Sequence, residues 1–275
     1  MTSGSCEVDL DAYCARIGYA GPREPTLAVL KILQRLHPAA IPFEAIDVLL
    51  GRGVSLEPTD IDAKLIGARR GGYCFEQNDL FKRALRAMGF DVLNLLARPR
   101  WNRPLDQAVP RTHQAVRIRL DGEEWMADVG FGVAMLTAPI RIDERGPQAT
   151  AFEPVRLRPV DDELRLEVFI GETWAPIYDL LPHTPLDIDY MAPNWYTSTH
   201  PHSIFRRGLI ITRTAADVRY SLADNLFTRR PREGEVERRR LGVEELKRTL
   251  SDGFDLPVQP DWLPVLERAV EAGGM

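Results

Sequence analysis

Cysteine is scarce in this sequence, and its pattern excludes two common uses of the residue. The 275 residues include 3 cysteines, Cys6, Cys14 and Cys74. An odd number excludes a complete disulfide framework, and the spacing matches no metal-binding motif. We therefore expect free thiols in a reducing, cytoplasmic compartment, and no metal ion.

Long apolar runs and a strong excess of one charge are also missing. No apolar run approaches the roughly 18 residues that span a bilayer, and the acidic N-terminus does not resemble a signal peptide. The net charge of −5 and a pI near 5.7 provide no general attraction for nucleic acid or anionic membranes. We expect neither as a partner, and the sequence leaves a monomer and a homodimer open.

Hydrophobic periodicity divides the chain into helical, strand-rich and mixed parts, which predicts an α+β fold. Helices are predicted near residues 8–17, 26–36, 58–67 and 74–88. Residues 90–185 contain short runs rich in Val, Ile, Leu and Trp between turn signals, and these predict an antiparallel sheet or small barrel. Residues 186–275 combine strands with helices, after a proline-rich stretch up to residue 203 that we interpret as a loop.

The motif RGGYCFEQN places Cys74 at the predicted start of a helix. Unpaired backbone N–H groups and the helix dipole at such a position favour the thiolate, which is the nucleophilic form of cysteine. The preceding Gly71 and Gly72 would allow a tight turn into the helix. Cys14 lies on an apolar helical stripe and Cys6 lies near the terminus, so Cys74 is the candidate nucleophile.

The segment RTHQAVRIRLDGEEWMADVGFG predicts a β-hairpin that turns on its Asp-Gly pair. That turn sets Arg119 opposite Glu124, a charge pair across the strands. The same register makes His113 the diagonal neighbour of Asp128, with Cβ atoms under about 7–8 Å apart. The carboxylate would then orient the imidazole. The alternative is an ordinary strand histidine followed by a turn-forming aspartate.

Other histidines and a basic cluster give weaker signals. His37 ends a helix, where a cation is favourable, and His200 and His202 form an H-x-H pair with no further ligand nearby. Residues 229–240 contain two groups of arginines. They either line a solvated sheet edge, where charge opposes edge-to-edge pairing, or attract an anionic, phosphate-bearing ligand.

The motifs RGGYCFEQN, THQAVRI and ADVGFG occur in an order and spacing that resemble the arylamine N-acetyltransferases. IPFEAIDV and STHPHSIF are similar to further stretches of that family. The resemblance covers roughly residues 10–215. It implies a fold of three parts: a helical bundle at 1–89, an antiparallel β-barrel at 90–185 and an α/β lid at 186–275.

The resemblance also implies the reaction and a Cys-His-Asp triad. The reaction would be acetyl transfer from the co-substrate acetyl-coenzyme A to the nitrogen of arylamines or arylhydrazines, by a ping-pong mechanism. Cys74 would be the nucleophile, His113 the base and Asp128 the orienting carboxylate. An amide synthase or a thioester hydrolase could use the same triad. Ala45 stands where the family usually has asparagine, and Asp79 where glycine is common, so the preferred amine stays open.

Further positions match family residues that line the substrate pockets. Phe131 matches an aromatic residue of the amine pocket, and Phe43 would flank it. The positions matched to coenzyme A contacts are Trp101, Thr112, Gly130, Gly132 and Phe205. For Phe43, Trp101 and Phe205 the alternative is simple core packing.

Overall fold

The chain adopts an α+β fold, which confirms the predicted class. The computed structural model describes residues 7–274. Its α-helices are α1 (Leu10–Ile17), α2 (Leu27–Ala40), α3 (Ile46–Leu49), α4 (Pro58–Asp62), α5 (Cys74–Ala87), α6 (Met191–Thr199), α7 (Val243–Asp252) and α8 (Leu263–Gly273). Its strands are β1 (Phe43–Glu44), β2 (Asp91–Pro99), β3 (His113–Leu120), β4 (Glu123–Ala127), β5 (Ile140–Arg141), β6 (Val155–Val160), β7 (Glu163–Ile170), β8 (Thr173–Leu180), β9 (Ile210–Thr214), β10 (Val218–Ala223), β11 (Leu226–Pro231) and β12 (Glu237–Arg240).

Capping residues fix the ends of the first helices. The side chains of Asp9 and Thr26 each accept the backbone N–H three residues further on, at the starts of α1 and α2. Gly18, with φ of 70°, ends α1 in the left-handed conformation. The apolar faces of α1, α2 and α5 then pack into one buried cluster that includes Leu30 and Phe81.

Strands β2 to β8 form a curled antiparallel sheet, a half-barrel. Their order within the described residues is β5-β4-β3-β2-β8-β7-β6. Val116 pairs with Ala127 in the β3–β4 hairpin, which confirms the predicted register. Asp121 and Gly122 have φ of 53° and 79°, the conformation that lets a two-residue turn follow the strand twist. One short turn therefore fixes the relative positions of both strands.

A second sheet combines one strand from the helical part of the chain with four strands from residues 210–240. Its order within residues 7–274 is β1-β9-β10-β11-β12, and Phe43 of β1 pairs with Thr212 of β9. The segment VRYSLADNLF forms the two strands β10 and β11, because Asp224, with φ of 50°, turns the chain. The expected loop before this sheet is also wrong, since it contains α6. Pro193 lies in the first turn of α6, where a backbone N–H has no helical partner.

Helix α5 lies where the helical part, the half-barrel and the second sheet meet. A buried cluster around its start gathers Phe43 from β1, Cys74 and Phe75 from α5, and Leu96 from β2. Across the portion of the chain described, none of the helices has the length and apolar character to cross a membrane.

Candidate active site

Cys74 is the first residue of α5 and is only 4% exposed. Close packing explains the two glycines before it. A Cβ on Gly71 would lie 2.2 Å from the carbonyl oxygen of Pro42, and a Cβ on Gly72 would lie 2.8 Å from a carboxylate oxygen of Glu76. Neither glycine has a positive φ. The glycines are therefore not required for conformational freedom, contrary to the expectation from the sequence. Gly71 is required because the loop lies directly against the IPFE segment, and Gly72 because the side chain of Glu76 lies against it.

A buried carboxylate caps the start of α5. Glu76 Oε2 accepts the backbone N–H of Tyr73 at 3.0 Å, as in a capping box. Lys64 Nζ lies 2.7 Å from Glu76 Oε1 and balances its charge. Burial raises the pKa of Glu76, and the ammonium of Lys64 opposes that rise. The Tyr73 N–H is thus already engaged, and any anion at this helix start must use the following N–H groups.

His113 and Asp128 form a buried pair, as the hairpin register predicts. Their Nε2 and Oδ2 atoms are 2.7 Å apart, and the residues are 2% and 0% exposed. Burial favours a neutral imidazole, but the charge and hydrogen bond of Asp128, helped by Cys74, raise the pKa of His113 to about 10. The pKa of Asp128 is lowered, because His113 outweighs the opposite effect of burial. The pair is therefore an imidazolium and a carboxylate at neutral pH.

The thiol lies against the strand that carries the imidazole. Cys74 Sγ is 3.6 Å from the carbonyl oxygen of Thr112, the residue before His113. The thiol is also close enough to His113 to help raise the pKa of the imidazole. Since Asp128 occupies Nε2, the ring presents Nδ1 to other partners. Thiol, imidazole and carboxylate follow one another in the order that activation of a nucleophile requires.

Two side chains that the sequence analysis missed complete the surroundings of the carboxylate. The hydroxyl of Tyr178 donates to Asp128 Oδ2 at 2.9 Å. The amide of Asn78 donates to Asp128 Oδ1 at 3.0 Å and to the carbonyl oxygen of Gln114 at 2.7 Å. Asn78 lies one helical turn after Cys74, so its place on the same helix face was an available signal. Tyr178 lies on β8, and nothing in its local sequence indicates the contact.

A cavity of about 420 Å³ opens onto the thiol and the imidazole. Its walls include six residues that the resemblance assigns to substrate binding. They are Phe43, Trp101, Thr112, Gly130, Phe131 and Phe205. Phe43 is 5% exposed and its ring lies 5.7 Å from that of Phe205, so it serves both core and cavity wall. The ring of Phe131 lies 4.9 Å from that of His113, edge to face.

Gly132, the remaining expected contact, lines a neighbouring cavity of about 220 Å³. The two cavities share Trp101 and Val133. The arginines of the basic segment 229–240 lie on both faces of the second sheet, because alternate side chains of a strand point to opposite faces. Arg230 and Arg238 face the second cavity. On the other side of the sheet, Arg239 Nε lies 3.3 Å from Glu237 Oε1.

Cys14 and His37 do not join this site, whereas His202 lines the main cavity. Cys14 is buried at 2% exposure among the first helices, and Cys6 lies outside the described residues. His37 is fully buried, and burial lowers its pKa to about 3, so the expected helix-end cation is wrong. Between residues 7 and 274, no group of three or more His, Cys, Asp and Glu side chains is arranged to hold a metal ion.

A thiol beside an imidazole–carboxylate pair is typical of enzymes that form a covalent acyl thioester. Comparisons with known proteins narrow this class. The model of the N-acetyltransferase family matches residues 26–263. The arylamine N-acetyltransferase of Mycobacterium tuberculosis is 37% identical over 256 residues, which cover 91% of this chain and 90% of that protein. The arylamine N-acetyltransferase of Escherichia coli is 37% identical over 251 residues, which cover 90% of this chain and 89% of that protein.

Solved structures of these relatives share the fold along nearly the whole chain. The M. tuberculosis arylamine N-acetyltransferase superposes with a TM-score of 0.90 at 34% identity, covering 96% of this chain and 100% of that one. The Mycobacterium marinum arylamine N-acetyltransferase in complex with CoA superposes with a TM-score of 0.89 at 35% identity, covering 95% of this chain and 98% of that one. The chain therefore belongs to the arylamine N-acetyltransferase family and is an acetyltransferase.

Proposed function

We propose that this protein transfers an acetyl group from acetyl-coenzyme A to the nitrogen of an arylamine or arylhydrazine, through an acetyl thioester on Cys74. The observation that supports this most directly is the cavity-facing thiol beside the buried His113–Asp128 pair. The reaction takes place in the cytoplasm, in a monomer or homodimer, with both substrates entering the cavity in turn.

The first half-reaction starts from a thiolate and an imidazolium. Cys74 Sγ attacks the thioester carbonyl, and the bond between the acetyl carbon and the coenzyme A sulfur breaks. His113 gives its proton to the departing sulfur and becomes neutral. Backbone N–H groups at the first turn of α5, other than the engaged N–H of Tyr73, stabilise the oxyanion.

The second half-reaction returns the proton. The amine nitrogen attacks the acetyl carbon on Cys74, and His113 takes a proton from that nitrogen as the tetrahedral adduct forms. The bond to Cys74 Sγ breaks, so the thiolate and imidazolium are restored. Phe43 and Phe131 provide apolar walls for the aromatic ring, and a cavity lined in this way slows hydrolysis of the thioester.

The second cavity suits the nucleotide end of coenzyme A. Arg230 and Arg238 face it and carry the positive charge that phosphate groups require. A coenzyme that extends from Cys74 past Trp101 would bring its phosphates to these groups. The imidazole of His113 and the two arginines thus lie on different sheets.

Steady-state kinetics test the covalent mechanism. Initial rates at several fixed amine concentrations should give parallel double-reciprocal lines against acetyl-coenzyme A. Mixing enzyme with acetyl-coenzyme A alone should release about one equivalent of coenzyme A in a burst and leave an acetyl group on the Cys74 peptide. Intersecting lines without an acetyl-enzyme would refute the mechanism. Rapid release without amine would instead indicate a thioester hydrolase, and no reaction with acetyl-coenzyme A would favour an amide synthase.

Donor specificity tests the phosphate site separately. Arg230→Ala should raise the KM for acetyl-coenzyme A about ten-fold or more, the effect of losing a charge-assisted hydrogen bond. Acylation by p-nitrophenyl acetate, which has no nucleotide, should stay unchanged. Arg229→Ala is the matched control, since Arg229 does not line the cavity. Equal effects of both substitutions on acetyl-coenzyme A would contradict the placement of the phosphates.

A further inference from the structure

One side of the main cavity is a segment without regular structure, residues 101–112. Trp101, Gln107, Val109 and Thr112 from this segment face the cavity. The segment contains no strand or helix, and Leu105 near its middle is 51% exposed. Its backbone bonds near the start are local or reach Ile177, as with the N–H of Trp101 at 3.1 Å. A wall of this kind needs side chains to hold it in place.

Arginine side chains from the end of β2 hold this wall. Arg100 Nη1 donates to the carbonyl oxygens of Leu105 and Gln107, at 3.3 and 3.1 Å. The guanidinium of Arg98 donates to the carbonyl oxygen of Val109. A planar guanidinium can bind several acceptors in fixed directions, which a lysine ammonium cannot reproduce. Arg100 therefore sets the path of the backbone just before Val109, a buried cavity residue.

A buried ion pair fixes Arg100 in turn. Arg100 is 9% exposed, and its Nε lies 2.6 Å from Asp179 Oδ2. Asp179 is 1% exposed and also pairs with Arg165, whose Nε lies 2.6 Å from Oδ1. Asp179 follows Tyr178, the residue that donates to Asp128. The wall of the cavity is thus tied to the same strand that supports the carboxylate of the site.

We propose that Arg100 is a specificity-determining positioning residue, which holds residues 104–110 against the cavity and so limits the size of the amine that reaches the acetylated Cys74. This inference rests on the proposed acetyl transfer. Arg100 acts through the backbone of Leu105 and Gln107 and does not touch the reacting atoms. The chemical class that it restricts is the acceptor with a second ring or a large substituent, because Gln107, Val109 and Pro110 line the cavity that holds Cys74, and such a group would meet them there.

The Arg100→Lys variant tests the proposal, because lysine keeps a positive charge beside Asp179 but loses the forked contact with the two carbonyl groups. A two-ring amine such as 4-aminobiphenyl and a one-ring amine such as aniline compete for one acetyl-enzyme. The ratio of their kcat/KM values is therefore independent of the acylation rate and of the folded fraction. We expect Arg100→Lys to raise the two-ring to one-ring ratio about ten-fold, the effect of roughly one net hydrogen bond. Hydrogen exchange at residues 104–110 should become faster in the same variant.

Arg165→Lys is the matched control. Arg165 pairs with the same carboxylate but donates to no carbonyl group of the segment 101–112. The Arg165→Lys variant should leave the two-ring to one-ring ratio of kcat/KM unchanged, even if both Arg165→Lys and Arg100→Lys melt at a lower temperature. An unchanged ratio in Arg100→Lys would overturn the proposal, and so would an equal shift in Arg165→Lys. Failure of the wild-type protein to acetylate either amine would refute the proposed function itself, which is a different result.

Discussion

The Asp128→Asn substitution is the most informative perturbation of this site. Asp128 accepts four hydrogen bonds: Oδ2 accepts from His113 and Tyr178, and Oδ1 accepts from Asn78 and the N–H of Gly130. Asparagine keeps the shape but replaces one acceptor with an NH₂ group. If the NH₂ faces Asn78 and Gly130, it opposes two donors. It therefore turns towards His113, and the amide oxygen accepts from Asn78 and Gly130.

That orientation changes the state of the imidazole. An NH₂ group facing Nε2 requires Nε2 to accept, which leaves the proton on Nδ1 and removes the base on the thiol side. The carboxylate that keeps the imidazole charged is also lost. We expect acylation of Cys74 to slow by about 10³–10⁴-fold, as when the orienting aspartate of a triad becomes asparagine. The stability loss should be modest, about 1–3 kcal/mol, because the imidazole can release its proton instead of remaining a buried unpaired charge.

Stopped-flow release of coenzyme A in a single turnover measures this step directly. Tyr178→Phe is the matched control, since it removes one hydrogen bond at 2.9 Å from the same oxygen but keeps the carboxylate. It should slow acylation about ten-fold or less, the loss of about one hydrogen bond. A folded Asp128→Asn protein that acylates within about ten-fold of the wild type would refute the orienting role, because a wrong tautomer cannot act as a base.

Iodoacetamide near neutral pH should label Cys74 before Cys14, because burial raises the pKa of the Cys14 thiol; peptide mapping that finds Cys14 labelled first would contradict the assignment. Phe131→Ala should slow deacylation by an arylamine more than acylation, and equal losses would indicate a packing role only. The folded-state pKa of His113 is raised, from 6.5 to about 10. The stability that its pairing contributes should be complete below pH 6.5 and lost as pH rises towards 10. Urea unfolding at a series of pH values should show this decline in the wild type and not in His113→Gln.

The sequence predicts most reliably what one local turn determines. The Asp-Gly pair sets the hairpin register, and the register sets His113 beside Asp128 without any knowledge of the rest of the fold. The approach of Cys74 to this hairpin is different, because it depends on how α5 packs against β3. No local pattern determines that packing, so the motif order alone, through a family resemblance, pointed to it.

Three expectations are wrong because the position of the residue in the folded structure decides the outcome, and the local sequence does not show that position. The prolines of the stretch before the second sheet predict a loop, yet Pro193 occupies a first-turn position that tolerates proline. The need for Gly71 cannot be read from its neighbours in sequence, because its contact with Pro42 is tertiary. A helix end favours a cation at His37, but full burial outweighs the helix dipole.

Asn78 connects the thiol-bearing helix to the hairpin that carries His113 and Asp128. It lies on the inward face of α5 and is 0% exposed, and a buried amide among apolar neighbours must satisfy its hydrogen bonds or cost stability. Its NH₂ group donates to Gln114 and Asp128, and its oxygen accepts the N–H of Val129 at 3.1 Å. One amide therefore binds both strands of the hairpin from the helix that carries the thiol. Since Cys74 and Asn78 are one turn apart, these bonds fix the position of the thiol relative to the imidazole. A polar residue four positions after a helix-start cysteine is thus the sequence feature that links the two halves of the site.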